Sequence, residues 1–330
     1  MKERIAIIDG VRTPMAPAGK HLSGFEADKL AEFAVKELLA RVPVEAEELA
    51  ETILGNVAQP AHAANIARVI ALESGVPKQV PAQTVHRNCA SGMQSISTAA
   101  DKIQIENSGV YLVGGVESMS NIPFLYSQEM KHFFTKLSRS KTAWQKLKTL
   151  LSFRLRYLKP QIGVMQGLTD PVSGLIMGMT AEVLAREFHI TREQQDEYAL
   201  MSHQRAIEAT AEGNLQQEIV PVPLDASQSD LLDHDKGPRE GTTMESLGKL
   251  KPYFDRKNGT VTVGNSSQIT DGAAALLIMG EKEAKRRKIE PLGYIRDYQY
   301  AALEPERMGL GPAHATAKLL ESTKASMQDF

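Results

Sequence analysis

The chain has 330 residues, 42 % of them hydrophobic and 24 % charged, which excludes a disordered class and suits one sizeable or two small globular domains. A formal charge of −2 provides no global field to recruit nucleic acid, so any anion site is local. One cysteine rules out an intrachain disulfide and fits a reducing compartment. The apolar run at residues 5–8 is too short for the core of a signal peptide, and nothing approaches the roughly 20 apolar residues that span a bilayer, so the expectation is a cytoplasmic protein.

Residues 5–8, closed by Asp9-Gly10, predict a buried strand. Leu30, Phe33, Ala34 and Leu38 recur at helical spacing and predict a helix over 27–41, stopped before Pro43. A strand over 52–57, a helix over 65–74 ended by Gly75, a strand over 80–85, a helix over 89–105 and a strand over 110–116 follow. Strands alternating with helices predict an α/β fold with a parallel sheet covered on both faces. Ligands of such sheets gather at the carboxyl ends of the strands. Cys89 lies there, in Val85-His86-Arg87-Asn88-Cys89-Ala90-Ser91-Gly92-Met93, where strand passes into helix. The helix dipole and unpaired N–H groups at such a point favour an anionic sulfur, so Cys89 is the candidate nucleophile.

From about residue 120 to 241 the alternation stops, and the chain reads as a long helical insertion carried on the sheet. Residues 131–159 hold nine Lys and Arg and no Asp or Glu. Trp144, Leu147, Leu151, Leu155 and Leu158 recur there at steps of three and four, one helical stripe. Two readings stay open for this basic amphipathic segment: a helix covering the insertion's own core, or a surface for a membrane or a partner. Thr191-Arg192-Glu193-Gln194 has capping-box spacing and opens a helix to about residue 212. Residues 221–250, rich in Pro, Asp, Ser and Gly, read as loop. Strands are expected at 260–263, 273–279 and 294–300, and helices at 281–288 and 313–320.

In these residues the sequence resembles the thiolase family of acyl-CoA C-acyltransferases. The nucleophile segment looks like Asn88-Cys89-Ala90-Ser91-Gly92-Met93-Gln94, and the glycine-rich strand end like Gly114-Gly115-Val116-Glu117-Ser118-Met119-Ser120. The loop-domain signature looks like Met177-Gly178-Met179-Thr180-Ala181-Glu182. The segment 259–267 with Asp271-Gly272-Ala273-Ala274, and then Met308-Gly309-Leu310-Gly311-Pro312, follow in family order. The resemblance implies layered β/α halves with a long helical loop domain inserted in the first half and an incomplete second half. The corresponding boundaries are 1–120 with 242–290 for the first half, 121–241 for the loop domain, and 291–330 for the start of the second half.

The resemblance implies acyl transfer through a Cys89 thioester, either thiolysis of a 3-ketoacyl-CoA or the reverse condensation, within fatty-acid β-oxidation. The Cys89 N–H would contribute to an oxyanion hole. It places CoA or acyl-CoA as substrate, with no permanently bound cofactor and no metal, and aligns Met177 and Ser267 with CoA contacts. Gly264 and Asn265 fall in the segment that lines the CoA channel. Ile176 stands where some thiolases carry a histidine, so that contact does not carry over. A homodimer or higher oligomer is implied, with no nucleic-acid partner. The insertion looks like that of the long-chain and trifunctional-complex thiolases, which favours contact with a membrane or a β-oxidation partner subunit through Lys141, Trp144, Lys148, Leu151 and Arg154. The family's second-half groups, an Asn or His in an Asn-Glu-Ala-Phe-like segment, a Gly-His-Pro and a second cysteine, have no counterpart, and the chain is expected to stop just before them. His86, three residues before Cys89 on a strand leading into the site, is expected to point away from a productive approach. An incomplete second half predicts either a longer natural protein or apolar faces covered by association, and a chain that binds acyl-CoA or a partner without turnover is the alternative function.

Overall fold

The computed structural model describes residues 3–330, and by its contacts the chain divides into two compact units, Met1–Asn121 with Gly178–Phe330, and Ile122–Met177. Residues 178–241, grouped by the sequence with the insertion, belong to the larger unit.

Six strands carry the sheet of the larger unit: β1 (Ile5–Arg12), β2 (Leu49–Gly55), β3 (Ala82–Val85), β4 (Val110–Glu117), β5 (Thr270–Gly280) and β6 (Gly293–Ile295). Their order is β6-β1-β5-β4-β2-β3, and a seventh short strand, Ala16–Pro17, pairs with the start of β5. Neighbours β2 and β4, and β2 and β3, are parallel. Strand β5 is antiparallel to both β1 and β4, and β6 is antiparallel to β1. The expected all-parallel sheet is therefore corrected to a mixed one. The first four strands run one way, but the strand that fills the gap between β1 and β4 arrives about 150 residues later from a loop, so no helical crossover sets its direction.

Helices α1 (Ala27–Arg41), α2 (Ile66–Glu73) and α3 (Ser91–Glu106) pack on the sheet. Side chains alternate between faces along a strand. Leu112 and Leu277 thus join Leu30, Leu38, Ile66 and Ile70 in one core, while Tyr111, Val113 and Ile278 join Ala100 and Ile103 of α3 in another.

Three further expectations change. Residues 260–263 form no strand, because side chains take up their backbone N–H groups: Glu182 accepts from Thr260 N (3.0 Å) and Val261 N (2.8 Å), and Asn265 Oδ1 accepts from Thr262 N (2.7 Å). The last strand ends at Ile295 rather than 300, because Tyr298 and Tyr300 hydrogen-bond Asp101 and Ser97 of α3 instead of pairing with a neighbour.

The third correction lies in the smaller unit, where residues 131–159 are not one helix. α4 (Gln128–Arg139) and α5 (Ala143–Leu151) are separate, since the Thr142 hydroxyl and Gln145 side chain form a capping box that starts a new helix. Phe133, Phe153 and Tyr157 make this unit's small aromatic core, Phe133 lying 5.3 Å from Phe153. Beyond α5, half-buried Phe153 is followed by one 3-10 turn, Leu155–Leu158. The helix from Thr191 is observed as α7 (Arg192–Ala211), after α6 (Met177–Glu187), with the expected capping box. α8 (Glu281–Arg287) and α9 (Gly311–Thr323) end the chain. No described helix is long and apolar enough to cross a membrane.

Candidate active site

Glycines at the strand ends let the start of α3 lie directly on the sheet. A Cβ at Gly55 would stand 2.7 Å from Gly92 N and still nearer the Ser91 backbone, and one at Gly115 would stand 3.2 Å from Gly92 Cα. Gly55 and Gly115 are register partners on β2 and β4, so together they form a flat seat for the first turn of α3.

The three residues before that turn are folded tightly. Asn88 takes a left-handed conformation (φ 45°), which asparagine tolerates better than most side chains. Ala90 N donates to Arg87 O (3.0 Å) and Ser91 N to Asn88 O (3.0 Å). The buried Ser91 hydroxyl closes the turn, accepting from Arg87 N (2.8 Å) and donating to Asn88 O (2.6 Å). Cys89 sits exposed at the tip. The helix begins at Ser91, so Cys89 stands two residues before it rather than in its first turn. The guanidinium of Arg87 stacks on Tyr300 at 4.0 Å and its Nε donates to Gln94 Oε1 (2.5 Å), which ties the turn to α3 from outside.

Beside this turn lies Glu117, the last residue of β4. Its carboxylate accepts from Val57 N, Ala58 N (each 3.0 Å) and Asn56 Nδ2 (3.1 Å). Burial nevertheless pushes the Glu117 carboxyl above its ordinary range, outweighing those donors and the nearby His86. His86 is exposed just past β3, and its Nδ1 accepts from Asn88 N (3.3 Å). Sequence reasoning passed over Ser91 and Glu117; both lie inside the quoted motifs, but their partners are backbone groups that no spacing reveals.

The candidate substrate residues differ in character. Ser267 is exposed, its hydroxyl bonded to Gln268 O at 3.3 Å. Gly264 is a packing glycine, since a Cβ would lie 2.8 Å from Leu247 Cδ2. Asn265 is bonded within the chain through both ends of its amide: Nδ2 donates to Asp196 Oδ1 (2.9 Å) and Thr260 O (3.1 Å), and Oδ1 accepts from Thr262 N. Met177, half-buried, begins α6, and its N–H donates to Leu168 O (3.0 Å) within the smaller unit. In that unit Lys141, Trp144, Lys148, Leu151 and Arg154 are all exposed, Trp144 at 73 % and Leu151 at 78 %.

A cysteine raised on a strand-to-helix turn, above Gly55 and Gly115, stands at the carboxyl edge of the sheet, where ligands of such sheets gather. Residues 5–282 match the family model described as thiolase, N-terminal domain, and the chain belongs to the thiolase family of acyl-CoA acyltransferases. A 3-ketoacyl-CoA thiolase of Escherichia coli O127:H6 is 38 % identical over 329 residues, which cover 99 % of this chain and 74 % of that protein. Among solved structures, Bacillus anthracis acetyl-CoA acetyltransferase superposes with a TM-score of 0.89 at 37 % identity, covering 99 % of this chain and 78 % of its own. Human mitochondrial 3-ketoacyl-CoA thiolase in complex with CoA superposes at 0.86 with 33 % identity, covering 99 % and 77 %.

Proposed function

We propose that Cys89 carries the acyl group in a thiolase-type transfer between CoA thioesters, serving fatty-acid β-oxidation. The observation that carries this reading is the clamped turn 87–91, which holds one exposed thiol at the strand-to-helix junction. In the simplest half-reaction the Cys89 sulfur attacks the thioester carbonyl of an acyl-CoA and the bond from that carbon to the CoA sulfur breaks. The cysteine's proton ends on the departing CoA thiol. With a 3-ketoacyl-CoA the sulfur attacks the keto carbon instead, the C2–C3 bond breaks, and the departing acetyl-CoA enolate takes up the proton. The Cys89 N–H contributes to the hole that holds the oxyanion, and Ser267 and Met177 contact the pantetheine of CoA. Exchange of labelled CoA into acetyl-CoA tests the half-reaction. The wild-type chain catalyses it and Cys89→Ser does not; exchange that survives the substitution refutes the role of Cys89.

The domain reading that accompanies this is a first half of 1–120 and 242–290, an insertion of 121–241, and the start of a second half at 291–330. The chain works as a homodimer or larger oligomer. A second reading, an acyl-CoA-binding or partner-binding chain without turnover, is favoured by the absence of a second cysteine and of a Gly-His-Pro segment from these 330 residues. Thiolysis of a 3-ketoacyl-CoA by the purified chain separates the two, since only the first sustains turnover.

For the smaller unit the reading is contact with an anionic lipid surface rather than cover for a core. Exposed Trp144, Leu147 and Leu151 stand among Lys141, Lys146, Lys148 and Arg154, and among the described residues none of these four cations pairs with a carboxylate.

A further inference from the structure

The segment 259–267 is held by a buried polar frame that the acyl-transfer chemistry does not itself require. Glu182 on α6, 1 % exposed, spends its carboxylate on two backbone N–H groups, those of Thr260 and Val261. Asp196 on α7, 2 % exposed, accepts from Asn265 Nδ2 through Oδ1 and from Arg192 Nε (2.8 Å) through Oδ2. Arg192 in turn donates to Leu247 O (2.6 Å) and Leu250 O (3.0 Å), the residues against which Gly264 packs. Gln195 on the same helix donates to Thr260 Oγ1 (2.9 Å). Two helices therefore fix this segment through side chains, in a conformation that its β-branched sequence, Thr-Val-Thr-Val, would not adopt by preference.

Asn265 is the centre of the frame. An amide has two N–H donors and one carbonyl acceptor, and here both donors and the carbonyl already have partners inside the chain. Ser267 follows two residues later, exposed.

We propose that Asn265, anchored on Asp196, is a positioning residue that sets Ser267 for the pantetheine of CoA, and does not itself touch the substrate. This rests on the acyl-transfer reading above. A buried carboxylate that loses its amide partner is left with an uncompensated acceptor, so the frame yields at that point and the serine moves with it.

The test follows acylation of Cys89 by acetyl-CoA as a function of substrate concentration, in the full chain, for wild type, Asn265→Ala, the isosteric Asn265→Asp, Ser267→Ala and the doubles with Ser267→Ala. The half-saturating concentration is expected to rise about tenfold in either Asn265 variant, while the limiting rate changes less than about threefold. Because Asn265 acts through Ser267, adding Ser267→Ala to an Asn265 variant is expected to raise it no further. A lowered Tm with an unchanged half-saturating concentration overturns the proposal, as do effects that simply multiply in the double variants. Asn265→Asp keeps the side-chain shape and faces Asp196 with a second carboxylate, so it reads the same contact if Asn265→Ala does not fold. A wild-type chain that takes no acetyl group refutes the acyl-transfer reading and this proposal with it. Normal wild-type acylation with unaltered Asn265 variants refutes this proposal alone.

Discussion

The same kind of amphipathic spacing ends in opposite environments in the two compact units. On α1 the residues at helical steps, Leu30, Ala34 and Leu38, are buried against the sheet, whereas on α5 Trp144, Leu147 and Leu151 are exposed among unpaired cations. Periodicity states which residues share a face and says nothing about what covers that face. The sheet of the larger unit supplies a broad apolar partner, and the smaller unit buries little beyond Met130, Phe133 and Thr149.

Four predictions sharpen that contrast. Replacing Lys141, Lys146, Lys148 and Arg154 with Gln should cost about 4 kcal/mol of affinity for vesicles rich in anionic lipid, at about 1 kcal/mol per charge, with no effect on vesicles of neutral lipid. Co-sedimentation measures this, and equal binding by both chains would return the segment to a plain solvated surface. In the sheet, Leu112→Ala should lower stability by about 3 kcal/mol in denaturant unfolding, while Leu151→Ala should stay within about 0.5 kcal/mol. Similar losses at the two positions would erase the contrast. Gly55→Ala should cost about 2 kcal/mol and also slow acylation of Cys89, because the added methyl meets the backbone of Ser91 and Gly92. A loss of stability without slower acylation would separate the glycine seat from the turn that carries Cys89.

The smallest effect is one of pH, with opposite signs at two carboxylates. Arg286 and, less strongly, Arg287 hold the Glu283 carboxyl down to about 2. Its contribution is present above the ordinary value of 4.5 and is lost as pH falls through about 2. Burial raises Glu117, so its contribution is complete below the unfolded value and is lost as pH rises through the folded one. Urea midpoints across pH should therefore show a flatter acid limb in Glu283→Gln, whereas Glu117→Gln should lack the decline that Glu117 contributes as pH rises above 4.5. Unchanged profiles in both would remove the two assignments.

Much of the larger unit was legible in its sequence. The helices at 27–41 and 192–211 follow from spacing and capping, and the place of the one cysteine, between strand and helix, follows from the run 85–93. What was hidden depends on partners far away in the chain. Residues 260–263 have the composition of a strand, yet Glu182, 78 residues earlier, accepts from the N–H groups of Thr260 and Val261. The direction of β5 follows from a neighbour that local alternation cannot see. The segment 259–267 was legible as a motif, but the partners of its Asn265, Asp196 above all, become visible only once the chain is folded.

The central claim is that Cys89 on its clamped turn is the acyl carrier, and intact-protein and peptide mass spectrometry after brief exposure to acetyl-CoA tests it most directly. One acetyl group on the peptide containing Cys89, absent from Cys89→Ser and removed by added CoA, is the predicted result. No acetylation of Cys89, or equal labelling of the Cys89→Ser chain, would contradict it.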